Sequence, residues 1–216
     1  MGATSALGGI MLPSGGALLS EIQDPNGPYD GTFVVGDKEI TVKAFAALGI
    51  DAVDVTVVPV NFGDQAIGFD LLGQFIDVPG DGSPTGFGFQ YNIRVLDPDR
   101  SIVGVELGFN GSTSVAGSFA KVTETIVDPN SSDFLDNLEV QALGNMNSGD
   151  DVFQDFFTAD APGFRELNIT KDFTLFAVDG GTATTSFIRQ TFEQIPAPGA
   201  FAAFGVAGLA AARRRR

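Results

Sequence analysis

From Thr32 to Ile195 apolar and polar residues alternate with a period of two, and Gly, Pro, Asp and Asn break the pattern at regular intervals. Such alternation sets one face of each segment against a core and the other in water, which describes half-buried β-strands and not helices. Phe87, Phe89, Tyr91, Ile93 and Val95 alternate with Gly88, Gln90, Asn92 and Arg94, and Val103, Val105, Leu107 and Phe109 with Gly104, Glu106 and Gly108. Between the two runs, Asp97-Pro98-Asp99-Arg100 carries the residues of a tight reversal, so a hairpin is predicted there. Further strands are expected over Thr32–Val35, Glu39–Phe45, Ala52–Val60, Ala66–Phe69, Gly73–Val78, Gly117–Val127, Leu138–Leu143, Val152–Thr158, Glu166–Ala177 and Thr182–Gln194. Gly36-Asp37-Lys38 is expected to turn the first pair, Gly180-Gly181 the last, and Ser132–Leu138 to hold one helical turn. The fold class that follows is all-β, an antiparallel β-sandwich or jelly roll.

A chain of 216 residues with a 44% hydrophobic fraction has material for one well-filled domain. It contains no Cys and no His. Cys/His zinc sites, cysteine nucleophiles, Ser-His-Asp triads and histidine bases are therefore excluded. The formal charge is −15, and four of the 12 cations stand together at Arg213, Arg214, Arg215 and Arg216, so residues 1–196 hold 8 cations against 27 anions. A body with a net charge of −19 repels phosphate, and nucleic acid is not an expected partner.

Ile195-Pro196-Ala197-Pro198-Gly199 leads into a run of small apolar residues, Ala200 to Ala212, and then into the arginines. The prolines end the preceding strand. As a helix, Gly199 to Ala212 would be about 21 Å long, short of the roughly 30 Å hydrocarbon core. Phe201, Phe204, Val206 and Leu209 would together supply only about −1 to −2.5 kcal/mol toward insertion. An Arg cluster suits the cytoplasmic side of such a segment. The order Pro-x-Pro, short apolar helix, basic stop resembles the PEP-CTERM sorting signal of exported bacterial proteins, with Ala197 where that family usually has Glu. Gly36-Asp37-Lys38, the Val55–Val60 and Tyr91–Val95 strands, Leu107–Ser112, Val122-Thr123-Glu124-Thr125, Ile169-Thr170-Lys171-Asp172 and Gln190-Thr191-Phe192 look like an all-β domain common among PEP-CTERM proteins. The resemblance implies export, a transient stay in the inner membrane, processing near Pro-x-Pro by an exosortase-type enzyme, and delivery to the cell surface or extracellular matrix. It implies no reaction.

Three parts are expected on this reading: an N-terminal segment over 1–30, a sandwich over 31–195 and the tail over 196–216. Residues 1–37 contain no Lys or Arg, and Ala6 to Leu12 is a short, Gly-rich apolar run broken by Pro13. A secretory leader should begin with a basic region. Either Met1 is an internal methionine of a longer precursor, which we prefer, or the chain is trimmed, or it is not exported.

Acidic turns at Asp77 to Asp81, Asp97 with Asp99, Asp128 with Asn130, and Asp150 with Asp151 could offer oxygen ligands to Ca²⁺. Asp24-Pro25-Asn26-Gly27 is only a fragment of the calcium-loop pattern, and Asp-Pro and Asp-Gly form turns without any ion. No cofactor is therefore expected beyond a weakly indicated Ca²⁺. A pair of acids could hydrolyse glycosides, yet nothing distinguishes two among 27, Trp is absent, and Tyr is limited to Tyr29 and Tyr91. We expect a non-enzymatic protein with a structural or adhesive role. The alternative is a Ca²⁺- or carbohydrate-binding module of the cell surface, with extracellular polysaccharide as its partner and Phe, Asn and Asp in place of Trp. Glu124 and Lys171 interrupt apolar alternation; we expect both to face solvent beside a β-bulge rather than pair in the core. Asn110, Asn130 and Asn168 each open an Asn-x-Ser/Thr triplet.

Overall fold

The computed structural model describes residues 9–63, 66–79, 82–144 and 151–196. Within them run β1 (Ile10–Met11), β2 (Ala17–Leu18), α1 (Leu19–Gln23), β3 (Thr32–Val35), β4 (Lys38–Leu48), a 3-10 turn (Ala52–Asp54), β5 (Thr56–Asn61), β6 (Ala66–Asp77) and β7 (Thr85–Val95). There follow β8 (Arg100–Phe109), β9 (Ser112–Thr113), β10 (Phe119–Val127), β11 (Phe134–Leu143), β12 (Gln154–Thr158), β13 (Glu166–Phe176) and β14 (Ala183–Pro196). The strands form two seven-stranded sheets, one ordered β1-β3-β4-β7-β13-β10-β11 and the other β12-β8-β14-β6-β5-β2, with β9 added at one end of β14. All pairings are antiparallel except β1 with β3. The fold is an all-β sandwich. Ala197, Pro198, Gly199, the expected helix with Phe201, Phe204, Val206 and Leu209, and Arg213–Arg216 lie outside the described residues.

Alternation fills the space between the sheets. Phe33 and Tyr91 of the first sheet meet Phe69 of the second edge-on, at 5.8 and 5.5 Å between ring centroids, and Phe75 packs on Phe87 and Phe173 at 5.8 and 5.4 Å. These offset geometries suit the quadrupoles of aromatic rings. Leu12, Ala17, Leu19 and Ile22 join the same core, so from Ile10 onward the segment 1–30 packs as part of the sandwich.

The turn Gly36-Asp37 does join a hairpin, β3 with β4, and Gly36 adopts φ +60, a value that favours glycine. The hairpin expected at Asp97–Arg100 is not formed. β7 and β8 belong to opposite sheets, because β4 and β13 occupy both edges of β7. Gly180-Gly181 likewise arches between sheets, since β13 already lies between β7 and β10. A tight turn between two alternating segments has the same local signature in a hairpin and in an arch. The distant strands that reach the edges first decide between them. Ser132–Leu138 holds no helical turn; β11 begins at Phe134, held in register by β10. The two short strands expected around Gly73 are one strand with a bulge, where Gly73 and Gln74 of β6 oppose Ser186 alone of β14.

Glu124 and Lys171 correct a further expectation. They sit opposite each other on β10 and β13, on the core side, and are fully buried. Lys171 Nζ donates to Glu124 Oε2 and, across the sandwich, to Gln190 Oε1 of β14. Long polar side chains can occupy that interior because each finds the other and an amide besides. Four residues along the same face of β14, Gln194 accepts from Lys38 of β4, whose ammonium also pairs with Asp37. Burial pushes the pKa of both lysines down, that of Lys171 far, while the Asp37 carboxylate partly offsets the shift at Lys38.

Candidate functional site on the outer face of the second sheet

β14 points Ile188, Gln190 and Phe192 inward, so alternation sets Phe187, Arg189, Thr191 and Glu193 on the outer side, where Thr191 is itself fully covered by its neighbours. Register then builds rows across the sheet. Gln154, Gly108, Arg189, Asp70 and Val58 form one row; Phe156, Glu106, Thr191, Gly68 and Val60 form the next. Each row crosses five strands, about 19 Å at ordinary strand spacing.

The polar groups on this face are already held in place. Arg189 makes a two-pronged pair with Asp70, Nε to Oδ1 and the terminal Nη2 to Oδ2, both at 2.8 Å. That bond is the main reason the guanidinium pKa is raised still further. The same guanidinium lies 5.2 Å from the ring centre of Phe62 and 5.4 Å from that of Phe187. Phe62, just past β5, is held there by its backbone N–H donating to Ala66 O at 2.9 Å. In the next row Glu106 accepts from Gln154 Nε2 at 3.1 Å and from the Thr191 hydroxyl at 2.8 Å.

Around this ladder stand rings that face water. Phe156 is 57% exposed and Phe62 59%. Gly104 and Gly108 of β8 carry no side chain; at Gly104 a Cβ would meet Glu193 Cβ and Oε2 at 3.0 Å, so the Glu193 side chain lies over that position. A Cβ on Gly108 would meet Arg189 Cβ and Phe153 O at 3.7 Å and Gln154 Cγ at 3.9 Å, ordinary contact, so an alanine fits there and a longer side chain would press on Arg189 and Gln154. Flat apolar rings beside fixed carboxylate, amide and guanidinium groups can take a ligand that has both an apolar face and a fringe of hydroxyls.

The sites expected from the sequence lie elsewhere. Asp97 and Asp99 sit on the arch after β7. Asp97 Oδ1 accepts the Asp99 backbone N–H at 2.9 Å and Oδ2 faces Arg100 Nε at 3.4 Å. Asp151 Oδ1 accepts from Leu143 N at 2.8 Å, and Asp150 is outside the described residues. Asp128 accepts the backbone N–H of Asn130 at 2.9 Å and the Ser131 hydroxyl at 3.1 Å, which hold its pKa low. Asp97 and Asp128 each close their own turn, and Asp151 reaches back to the backbone of β11. Among the described residues no three Asp or Glu side chains gather as a cation site would require. Pro196 is the last residue of β14, opposite Arg100. A cleft of about 390 Å³ at one end of the sandwich, lined by Gly49, Ile50, Asp54, Gln74, Phe75, Ile76 and Thr85, holds a single carboxylate.

Sequence reading missed the face because its residues come from β5–β6, β8, β12 and β14, whose adjacency no local pattern discloses. One signal was present. Arg189 is one of only 8 cations in the first 196 residues and stands inside a strand, between outward Phe187 and Thr191.

No protein-family model matches the chain, and no curated protein matches it in sequence. Among solved structures it is similar to the enzymatically active domain of bacteriophage CBA120 tailspike protein 4, at 16% identity and TM-score 0.29, over 71% of this chain and 19% of that one. The chain thus spans about a fifth of that protein. It is also similar to TmCBM61, solved with β-1,4-galactotriose (9% identity, TM-score 0.33, 74% of this chain and 88% of that one). A third is the mannan-recognising carbohydrate-binding module TmCBM27 (10% identity, TM-score 0.30, 74% and 98%). These likenesses concern the sandwich shape alone.

Proposed function

We propose that this chain is a non-enzymatic carbohydrate-binding module that acts at the cell surface or in the extracellular matrix, with the outer face of the second sheet as its ligand platform. The observation that carries the reading is the pairing of exposed Phe156 and Phe62 with the fixed polar pairs Gln154–Glu106, braced from beneath by buried Thr191, and Arg189–Asp70. A sugar ring has apolar C–H faces that rest on an aromatic ring and equatorial hydroxyls that need donors and acceptors in its plane. A face about 19 Å across suits an oligosaccharide chain better than one sugar. Both carboxylates are engaged by neighbours, Asp70 by Arg189 and Glu106 by Gln154 and Thr191, which suits holding a ligand rather than attacking it.

The PEP-CTERM-like tail supports the address in the same proposal: export, transient anchoring in the inner membrane and processing by an exosortase-type enzyme. It lies outside the described residues, and the binding reading stands without it. The test is retention on an array of neutral polysaccharides followed by titration calorimetry. Phe156→Ala and Arg189→Ala should each weaken binding at least tenfold, about 1.4 kcal/mol, with the far-ultraviolet spectrum unchanged. Retention of no glycan by the wild-type chain, or wild-type affinity in both variants, would reject the platform.

A further inference from the structure

Beneath the platform, on the inward side of β14, the cluster of Lys171, Glu124 and Gln190 has a composition that hydrogen bonding alone leaves unexplained. All three side chains are fully buried. Lys171 Nζ touches both the Gln190 carboxamide oxygen and Glu124 Oε2, while Gln190 Nε2 is pinned by donating to the backbone oxygen of Glu106 at 3.1 Å. Glu124 Oε1 is buried with no partner among the described residues, although every other polar group of the cluster has one. An amine, a carboxamide and a carboxyl group with a spare oxygen are thus fixed together in a dry interior.

We propose that Lys171 and Gln190 are joined by an intramolecular isopeptide bond, formed with Glu124 as the proton-transfer group, which staples β13 of one sheet to β14 of the other. Burial depresses the lysine pKa and so favours the neutral, nucleophilic amine, and the Glu124 carboxylate in contact with Nζ is placed to take up its proton. Nζ attacks Cδ of Gln190, the new Nζ–Cδ bond forms, and the carbonyl electron pair moves onto Oε1. When the carbonyl re-forms, the Cδ–Nε2 bond breaks and its electron pair leaves with nitrogen. Glu124 gives its proton to Nε2 and takes the surplus proton from Nζ, so ammonia departs and Glu124 is regenerated. The balance is amine plus carboxamide to secondary amide plus ammonia, with no oxidant or external energy source. Fixed contact between the reacting groups replaces an encounter with an intramolecular step of high effective concentration.

Lys38 and Gln194 repeat the amine–amide pairing, but the acid beside them, Asp37, has a side chain 21% exposed. The reaction therefore belongs to the Lys171 site.

The full chain is denatured and digested with trypsin, and its peptides are weighed. Trypsin should skip the acylated Lys171 and leave residues 166–189 joined to the peptide that begins at Gln190, about 17 Da below the sum of the two. Recovery of separate linear peptides, with cleavage after Lys171, would overturn the bond. So would a branched peptide at Lys38 and Gln194 in its place. Glu124→Gln, similar in shape but unable to shuttle the proton, should yield the unlinked peptides, and an undiminished bond in that variant would remove Glu124 from the reaction. The wild-type digest decides the bond by itself, even if the variant does not fold.

Discussion

Tyr91 lies in the core between Phe69 and Phe89, 1% exposed, and its hydroxyl has no hydrogen-bond partner among the described residues. A buried hydroxyl without a partner costs about 1–3 kcal/mol of desolvation. Tyr91→Phe removes the oxygen and keeps the ring, so it should leave stability unchanged or raise it by about 1 kcal/mol, read from urea unfolding at neutral pH. The same burial pushes the Tyr91 pKa well above its usual value. The folded chain then holds the phenol proton where the unfolded chain loses it, so stability is fully present below about pH 10 and declines as the pH climbs beyond. Tyr91→Phe should flatten that alkaline decline; an identical decline in the variant would assign it to other groups. Arg189 contrasts with Tyr91, having the Asp70 carboxylate and two rings as partners at once.

At the level of strands, β8 separates what local pattern discloses from what it does not. The alternation of Val105 and Leu107 with Gly104, Glu106 and Gly108 marks a half-buried strand with glycines outward, and the strand lies where the pattern puts it. Its partners, β12 and β14, begin more than forty residues further on, and no turn chemistry at Asp97–Arg100 announces them. Hence most strand limits were legible, the arches were read as hairpins, and the platform was not seen. Glu124 and Lys171 failed for a related reason. Their period-two positions pointed inward all along, but the rule that long charged side chains stay in water outweighed the period until the register set one opposite the other. Gly108 gives a direct check. Gly108→Ala adds a Cβ at ordinary contact distances and should fold and bind as before, whereas Gly108→Leu must push Arg189 and Gln154 aside and should weaken glycan retention tenfold or more. Equal retention by the two variants would place the ligand elsewhere.

For the molecule as a whole, the described sandwich closes at Pro196 and its core draws on residues from Leu12 onward. A chain ending at Pro196 should therefore keep the thermal midpoint and the glycan affinity of the full chain. If the tail sets the address, that shortened chain should shift from the membrane fraction of expressing cells to the soluble fraction. Equal partitioning of both would separate the tail from any sorting role. The anionic body predicts in addition that binding to a neutral polysaccharide changes little between low and moderate salt, because no counterions are released.

β13 and β14 come last in the described sequence yet occupy interior places, β13 between β7 and β10, β14 between β8 and β6. A growing polypeptide that has not yet reached Glu166 has each sheet in two separate pieces, four in all, whose edges have nothing to join them, so the sandwich cannot close until the last strands emerge. Such a late-arriving keystone makes the described sandwich a structure of long-range pairings, closed only when its two final strands slide between partners laid down far earlier.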